Sequence, residues 1–360
     1  MNELRNHPQE DNKNNYPLWA VFSLCIAAIT IIVVFIESKN MTLAELRSLL
    51  EGAKPGWLAI AFLSMFGFIF FEGEALKTLI KSMGYSATMR QGIVYGAADS
   101  YFSAITPSAS GGQPAIIGFM IKYGVPLAQA TAALVLNLVF YTFSMVLLAS
   151  IAILTHPHIF MNFRTMGKVL ILAGSIVIVG FGAAFILLLK KGDVIHLVMK
   201  KTVELLGRIH IIKNPKKWLN RIENLASEYD NARNLMAGKT SVMIKAAIFN
   251  VMQRLSFTLI PVFMDLAIKG STGKPFAVWA TQCYVSLGSG CIPIPGAMGI
   301  SDYLMIDGFG GLMDKGRVFR MEMLSRGVSF YFCVLVSGLI VLMAYIGLKE
   351  KERSQASDGI

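Results

Sequence analysis

Charge is the first thing this chain has little of. Only 15% of its 360 residues are Asp, Glu, Lys or Arg, where a soluble globular chain carries roughly 25%. With 54% hydrophobic residues and a mean hydropathy of +0.57, a water-soluble class is excluded and an integral membrane protein is implied. Histidine is scarce, five in all, and none forms an i, i+4 pair suited to a metal. The four cysteines, Cys25, Cys283, Cys291 and Cys333, stand singly in or beside apolar segments. Lacking metal-ligand spacing, they read as small apolar side chains. No Ser/His/Asp grouping, P-loop or dinucleotide fingerprint is present, so no catalytic residue, metal or cofactor is expected. Without an ATP-binding loop, uphill movement of any substrate must draw on an ion gradient or a separate machine.

What the chain does have is apolar length. A membrane span needs roughly 20 apolar residues, and Leu18–Ile36 supplies the first after a polar tail. That run is too long for a signal-peptide core and lacks a small-residue cleavage site, so it reads as a retained span. Trp57–Phe71 is the second, running on past Glu72-Gly73-Glu74 to Ala75 and Leu76. Leu127–Leu154, Val169–Leu189, Val242–Ile268 and Val328–Leu348 complete six. The expected fold is therefore an all-α integral membrane protein with a single membrane domain over 18–348. Its halves are 18–189 and 241–348, between tails at 1–17 and 349–360.

Two stretches interrupt this pattern. Thr106-Pro107-Ser108-Ala109-Ser110-Gly111-Gly112-Gln113-Pro114 lies inside the apolar region Gly92–Met120, and its prolines and glycines break a helix. Gly288–Gly299, with Pro293, Pro295 and Gly296, does the same after Phe276–Leu287. In a bilayer, irregular backbone persists only where it is buried in protein or lines a wet cavity. Broken segments at corresponding places in two halves point to a transporter's binding site. Before the first break, Gly92, Gly96, Ser100 and Ala104 recur every four residues, a stripe that permits close helix approach.

Net charge is +11, and the excess is concentrated. Between Lys190 and Lys239 eleven basic residues face five acidic ones, which marks a cytoplasmic loop by the positive-inside rule. Asn214-Pro215 reads as a helix start, and Trp218, Leu219, Ile222, Leu225 and Tyr229 share one face. That amphipathic helix rests either on the anionic inner leaflet or on the protein's own cytoplasmic side. A nucleic-acid partner is not expected, because no aromatic-rich binding motif accompanies the charge.

Placing this loop inside puts both termini in the cytoplasm, provided Gly92–Met120 enters and leaves on one side. The result is six spans and two re-entrant hairpins in an inverted-repeat arrangement. Lys315, Arg317 and Arg320 would then lie outside, against the charge rule, so full crossings at either break remain an alternative.

Ser110-Gly111-Gly112-Gln113-Pro114, then Lys122-Tyr123-Gly124-Val125-Pro126 and the alanine-rich 128–133, together with Pro293–Asp302, resemble the flippase-like membrane domain of the lysylphosphatidylglycerol synthase family. The resemblance runs from about Leu18 to Leu348. It implies a role in moving aminoacylated phosphatidylglycerol across the membrane of the cell. Full-length synthases of that family carry a large soluble aminoacyltransferase domain, and nothing of that size follows Leu348 here. The acidic residue and arginine that many relatives carry after the first glycines correspond here to Gln113 and Ile116, so headgroup preference does not transfer. The family's second-motif glutamate and downstream arginine correspond to Asp302 and Arg326.

A glycine-rich break that starts a new half-helix offers free N–H groups and a positive dipole end, which is an anion site. In a bilayer the natural anion is a lipid phosphate. The candidate phosphate ligands are Ser108, Ser110, Gly111, Gly112 and Gln113 at the first break and Gly296 and Gly299 at the second, with Arg254 or Arg326 as countercharge. Arg254 sits near the middle of a span, one turn from Asn250, where a charge is costly and needs a partner or cavity. It can equally pair with Asp265 or another helix's carboxylate. Asp302, Asp99, Glu72 and Glu74 can meet a cationic headgroup or take up a proton. Their structural alternatives are a helix cap for Asp302, a packing hydrogen bond for Asp99, and a membrane-interface position for the glutamate pair.

Three functions fit. The leading one is a flippase-like carrier of an anionic or aminoacylated phospholipid, or of a related lipid phosphate. The second is phosphatidylglycerol lysyltransferase using lysyl-tRNA, for which the basic loop is too short a tRNA platform. The third is a non-transporting partner of a separate aminoacyltransferase. Homo-oligomers are compatible with all three.

Overall fold

The computed structural model describes residues 53–106, 109–190, 234, 238–268, 271–290 and 299–357. They are helical, with no strand among them. The expected span Leu18–Ile36, the amphipathic helix after Asn214, and Ser108 and Gly296 lie outside the described residues.

Helix α1, Pro55–Ser82, begins with proline at its first position, where the missing N–H is no loss. It ends in a Schellman turn. Gly84 takes φ +94°, the Gly84 N–H donates to the Lys81 carbonyl at 3.2 Å and the Tyr85 N–H to the Ile80 carbonyl at 3.4 Å. Helix α2, Met89–Ile105, is opened by a capping box: the Gln91 N–H donates to Thr88 Oγ1 and the Thr88 N–H to Gln91 Oε1. The first break follows, and α3, Gly112–Lys122, restarts the helix.

Helices α4 (Leu127–Thr155) and α6 (Thr165–Lys190) are joined through the short α5 (Pro157–Asn162). Helix α7, Thr240–Thr258, continues into α8, Ile260–Ala267, with a joint at Leu259 because Pro261 supplies no N–H to the ladder. Helix α9, Pro275–Ser289, leads to the second break, and α10, Ile300–Phe309, leaves it. Helix α11, Lys315–Arg326, then runs without a loop through a π-helical segment, Gly327–Phe332, into α12, Cys333–Ser357. The sequence analysis began the last span at Val328, apart from the segment containing the second break. The backbone instead joins them in one rod.

Five described helices or helix pairs are long and apolar enough to cross a membrane: Pro55–Ser82, Leu127–Thr155, Thr165–Ala184, Thr240–Ala267 and Lys315–Glu350. They correspond to five of the six expected spans. Their outer faces confirm the solvent they need: Leu154 is 80% and Ile176 74% exposed. Hiding one such side chain from water is worth about 1.5–3 kcal/mol, so a surface of this kind belongs in hydrocarbon.

Close packing at the centre depends on glycine. A Cβ on Gly73 would lie 2.0 Å from the Gly92 carbonyl oxygen, and one on Gly96 would lie 2.0 Å from that of Ile69. The small-residue stripe of α2 therefore presses its first two members directly onto α1. Helix α7 lies along α1, α4 along α7, and α12 against α2. Between them, and bounded by the two breaks, is a cavity.

Candidate functional site

The cavity has a volume of about 850 Å³, at the upper end for small-molecule sites. Glu72 of α1, Asp99 of α2, Ser110 and Gln113 at the first break, Tyr141 of α4, Arg254 of α7, and Gln282 and Ser286 of α9 all line it, as do Ser325 and Arg326 of α11. Six of the sequence candidates thus share one wall system: Glu72, Asp99, Ser110, Gln113, Arg254 and Arg326.

Arg254 is 8% exposed. Its guanidinium carbon lies 4.3 Å from the ring centre of Tyr141, 4.9 Å from Phe68 and 5.6 Å from Phe257. Cation–π contacts of this kind are worth about 2 kcal/mol or more when desolvated. They offset part of the several kcal/mol needed to bury a cation. Nη1 donates to the Tyr141 hydroxyl at 3.1 Å, while Nε is buried with no hydrogen-bond partner. Aromatic rings hold the faces of the guanidinium plane. The alternative of a permanent pair with Asp265 is not what the side chains do. Asp265 accepts from the Ser271 and Thr272 hydroxyls at 2.9 and 2.8 Å, and Arg254 makes no ion pair among the described residues.

Glu72 is 4% exposed and accepts a hydrogen bond from Gln253 Nε2 at 2.9 Å. Glu74, two residues on, pairs with Lys77 on the same helix at 2.5 Å and does not line the cavity. Asp99 lines the same cavity as Glu72, and the Ser103 hydroxyl lies 3.4 Å from its Oδ1.

The backbone at the breaks is partly satisfied from within. Gly111 N–H donates to Thr106 Oγ1 at 2.8 Å. Gly112 stands so close to Asp99 that a Cβ there would fall 2.1 Å from Oδ1. At the second break Gly299, at φ +77°, donates its N–H to Asp302 Oδ2 at 2.9 Å. As the third helical residue, Asp302 thus makes the back-reaching bond of a capping box, and it also binds Arg326 through two nitrogens, Nη2 at 2.7 Å and the closer Nε. Glu322 Oε1 lies 3.5 Å from the same Nε. Gly111, Gly112, Gly299 and Asp302 do not line the cavity themselves.

Sequence reasoning missed Tyr141, Gln282, Ser286 and Ser325. Gln282 and Ser286 sit one turn apart on α9 in an otherwise apolar run, and polar residues at i, i+4 there were the available signal. Tyr141 carried none, since a tyrosine in a clean span is ordinary.

Helices long and apolar enough to cross a membrane, two of the connections broken, and a mostly apolar cavity with charged and polar side chains in its wall define a polytopic all-α membrane protein. The chain belongs to a family within that class: residues 21–337 match the family described as the lysylphosphatidylglycerol synthase TM region. No curated protein and no solved structure matches.

Proposed function

We propose that this protein is a membrane lipid transporter, a flippase-like carrier that moves a phospholipid, anionic or aminoacylated, or a related lipid phosphate between leaflets. The observation that carries this reading is Arg254, a cation lining a cavity of about 850 Å³ with no ion pair among the described residues. A phosphodiester oxygen is the acceptor that a bilayer supplies in quantity, and arginine is suited to receive it. The family membership supports a lipid-related membrane role. The cell membrane, with the basic loop 190–239 on the cytoplasmic side, is the proposed setting.

The test is reconstitution of the purified chain in liposomes containing labelled phosphatidylglycerol, lysyl-phosphatidylglycerol or a polyprenyl phosphate. Membrane-impermeant quenching then reports exchange between leaflets. Exchange of at least one of these lipids above protein-free vesicles is expected. Failure with all three removes the carrier reading. Formation of lysyl-phosphatidylglycerol on addition of lysyl-tRNA would replace it with the lysyltransferase.

A further inference from the structure

A second cavity lies outside the site at Arg254. It is a groove of about 440 Å³, within the size range of small-molecule sites, and stripes from three helical segments build it. Leu148, Ile151 and Thr155 share one face of α4, and Leu255, Leu259 and Val262 share one face along α7 and α8. The third wall is the first turn of α9, with Phe276 and Trp279. Pro275 lets that helix start at the groove's edge, where its missing N–H is no loss. Helix α7 divides the two cavities: Arg254 lines one, and Leu255, the next residue, lines the other.

The chemistry of the wall decides what can occupy it. Its polar members, Thr155 and His156, both stand at the end of α4. The Thr155 hydroxyl is already engaged, donating to the Ile151 carbonyl at 2.7 Å and lying 3.0 Å from His156 Nδ1. Trp279 gives its indole N–H to Thr258 Oγ1 at 3.1 Å, which leaves ring carbon for the groove. A bound water needs about two to four polar partners, and a polar ligand needs its own set; this wall supplies neither. A hydrocarbon chain needs none. The rim also continues into the face that the bilayer covers, since Phe276 of the wall is 73% exposed and Leu154, beside it in α4, is exposed as well. The acyl chains that cover those side chains are therefore in place to enter.

One charge marks the same end of the groove. Lys274 is exposed and stands at the N-cap of α9, directly before Pro275 of the wall. It makes no ion pair among the described residues. The carboxylate nearest to it in sequence, Asp265, is turned to the Ser271 and Thr272 hydroxyls. We propose that this groove binds one acyl chain of an anionic phospholipid whose headgroup lies at Lys274, as a resident lipid site separate from the cavity at Arg254. The site does not depend on the carrier reading, because its occupancy is measured without exchange between leaflets.

The experiment uses the full chain carrying Trp19→Phe, Trp57→Phe and Trp218→Phe, which leaves Trp279 of the four tryptophans as the sole reporter. Trp279 is buried and lines the groove, so a chain seated there lies against its ring. In vesicles of phosphatidylglycerol brominated on its acyl chains, Trp279 fluorescence is expected to be quenched relative to vesicles of the unbrominated lipid. Filling the groove with Ile151→Phe and Leu255→Phe should abolish that quenching, with melting curves showing that the variant is folded. Half-quenching should require up to about fivefold less brominated phosphatidylglycerol than brominated phosphatidylcholine, the range of an exposed ion pair, and Lys274→Gln should make the two lipids equal. Absence of quenching overturns the site and means that protein fills the groove, whether a second chain or the expected span Leu18–Ile36. Quenching that persists undiminished in the folded, filled variant also overturns it. Equal half-quenching by the two lipids in the parent protein, or a preference that survives Lys274→Gln, refutes the placement of the headgroup at Lys274.

Discussion

Replacing Arg254 is the most informative perturbation of the proposed carrier. In Arg254→Ala the phosphate loses its cation, and the rings of Tyr141, Phe68 and Phe257 lose theirs. Removing one partner of a buried charge cluster costs about 3–5 kcal/mol. If most of that falls on the lipid-bound state, exchange slows by about 100-fold or more, because each 1.4 kcal/mol is a factor of ten. Arg254→Lys separates charge from shape. It keeps the cation but loses the planar stack over Tyr141 and Phe68 at 4.3 and 4.9 Å. It also gives up the fixed edge N–H, so a hydrogen bond to a charged group worth about 1.5–3 kcal/mol is lost. The lysine variant should therefore transport between about 10 and 100 times more slowly than wild type and outperform alanine. Quench-detected exchange in vesicles measures all three proteins, with detergent melting curves showing that each is folded. Exchange by folded Arg254→Ala within twofold of wild type would refute the assignment of the phosphate to this side chain.

Further outcomes follow from geometry elsewhere. Gly73→Ala drives a Cβ to 2.0 Å from the Gly92 carbonyl and should cost about 3 kcal/mol or more through forced separation of α1 and α2. Gly118→Ala, whose Cβ meets nothing within 4 Å, should gain about 1 kcal/mol from helix propensity; melting temperatures of the two variants should move in opposite directions. A double-mutant cycle on Asp302→Asn and Arg326→Gln should give a coupling of about 0.5–3 kcal/mol, reduced by the second carboxylate, Glu322, which lies 3.5 Å from Arg326. Asp314, just before α11, has its acidity shifted below the ordinary aspartate range by hydrogen bonds from the Arg317 side chain and amide. Its folded value being the lower, the cap is present above the ordinary aspartate value and is lost as pH falls through the folded one. Hydrogen exchange at the Arg317 amide should accelerate across that acidic window, and Asp314→Ala should remove the dependence.

Much of the architecture was legible because hydrocarbon demands long apolar helices and permits breaks only beside polar space. Leu127–Thr155 and the breaks at 106–111 and 290–299 are visible in composition alone. Arg254 was legible as an expensive charge at depth. Glu72 was a candidate too, but its burial was not legible, because a carboxylate at the end of the apolar run 57–71 looks like a span reaching water. The helix in fact continues to Ser82, and Gln253 from another helix pays for the carboxylate's burial. Tertiary pairing of this kind leaves no local pattern. Nor does the sequence reveal that α11 and α12 are continuous, since polar Lys315–Arg326 and apolar Cys333 onward read as separate elements.

That continuity gives the last helix the properties of a crankshaft. Arg326 ends the leg that reaches the cavity, and the wider π turn of Gly327–Phe332 begins at the next residue. A π turn holds one residue more than the α turn it replaces. Shifting it along the rod by one position rotates the intervening side chain by about 100° while the backbone stays helical. The Asp302–Arg326 contact is the peg that fixes the present setting. A change of partner at Arg326 is thereby geared to the far end of α12 without any loop in which the motion could be lost.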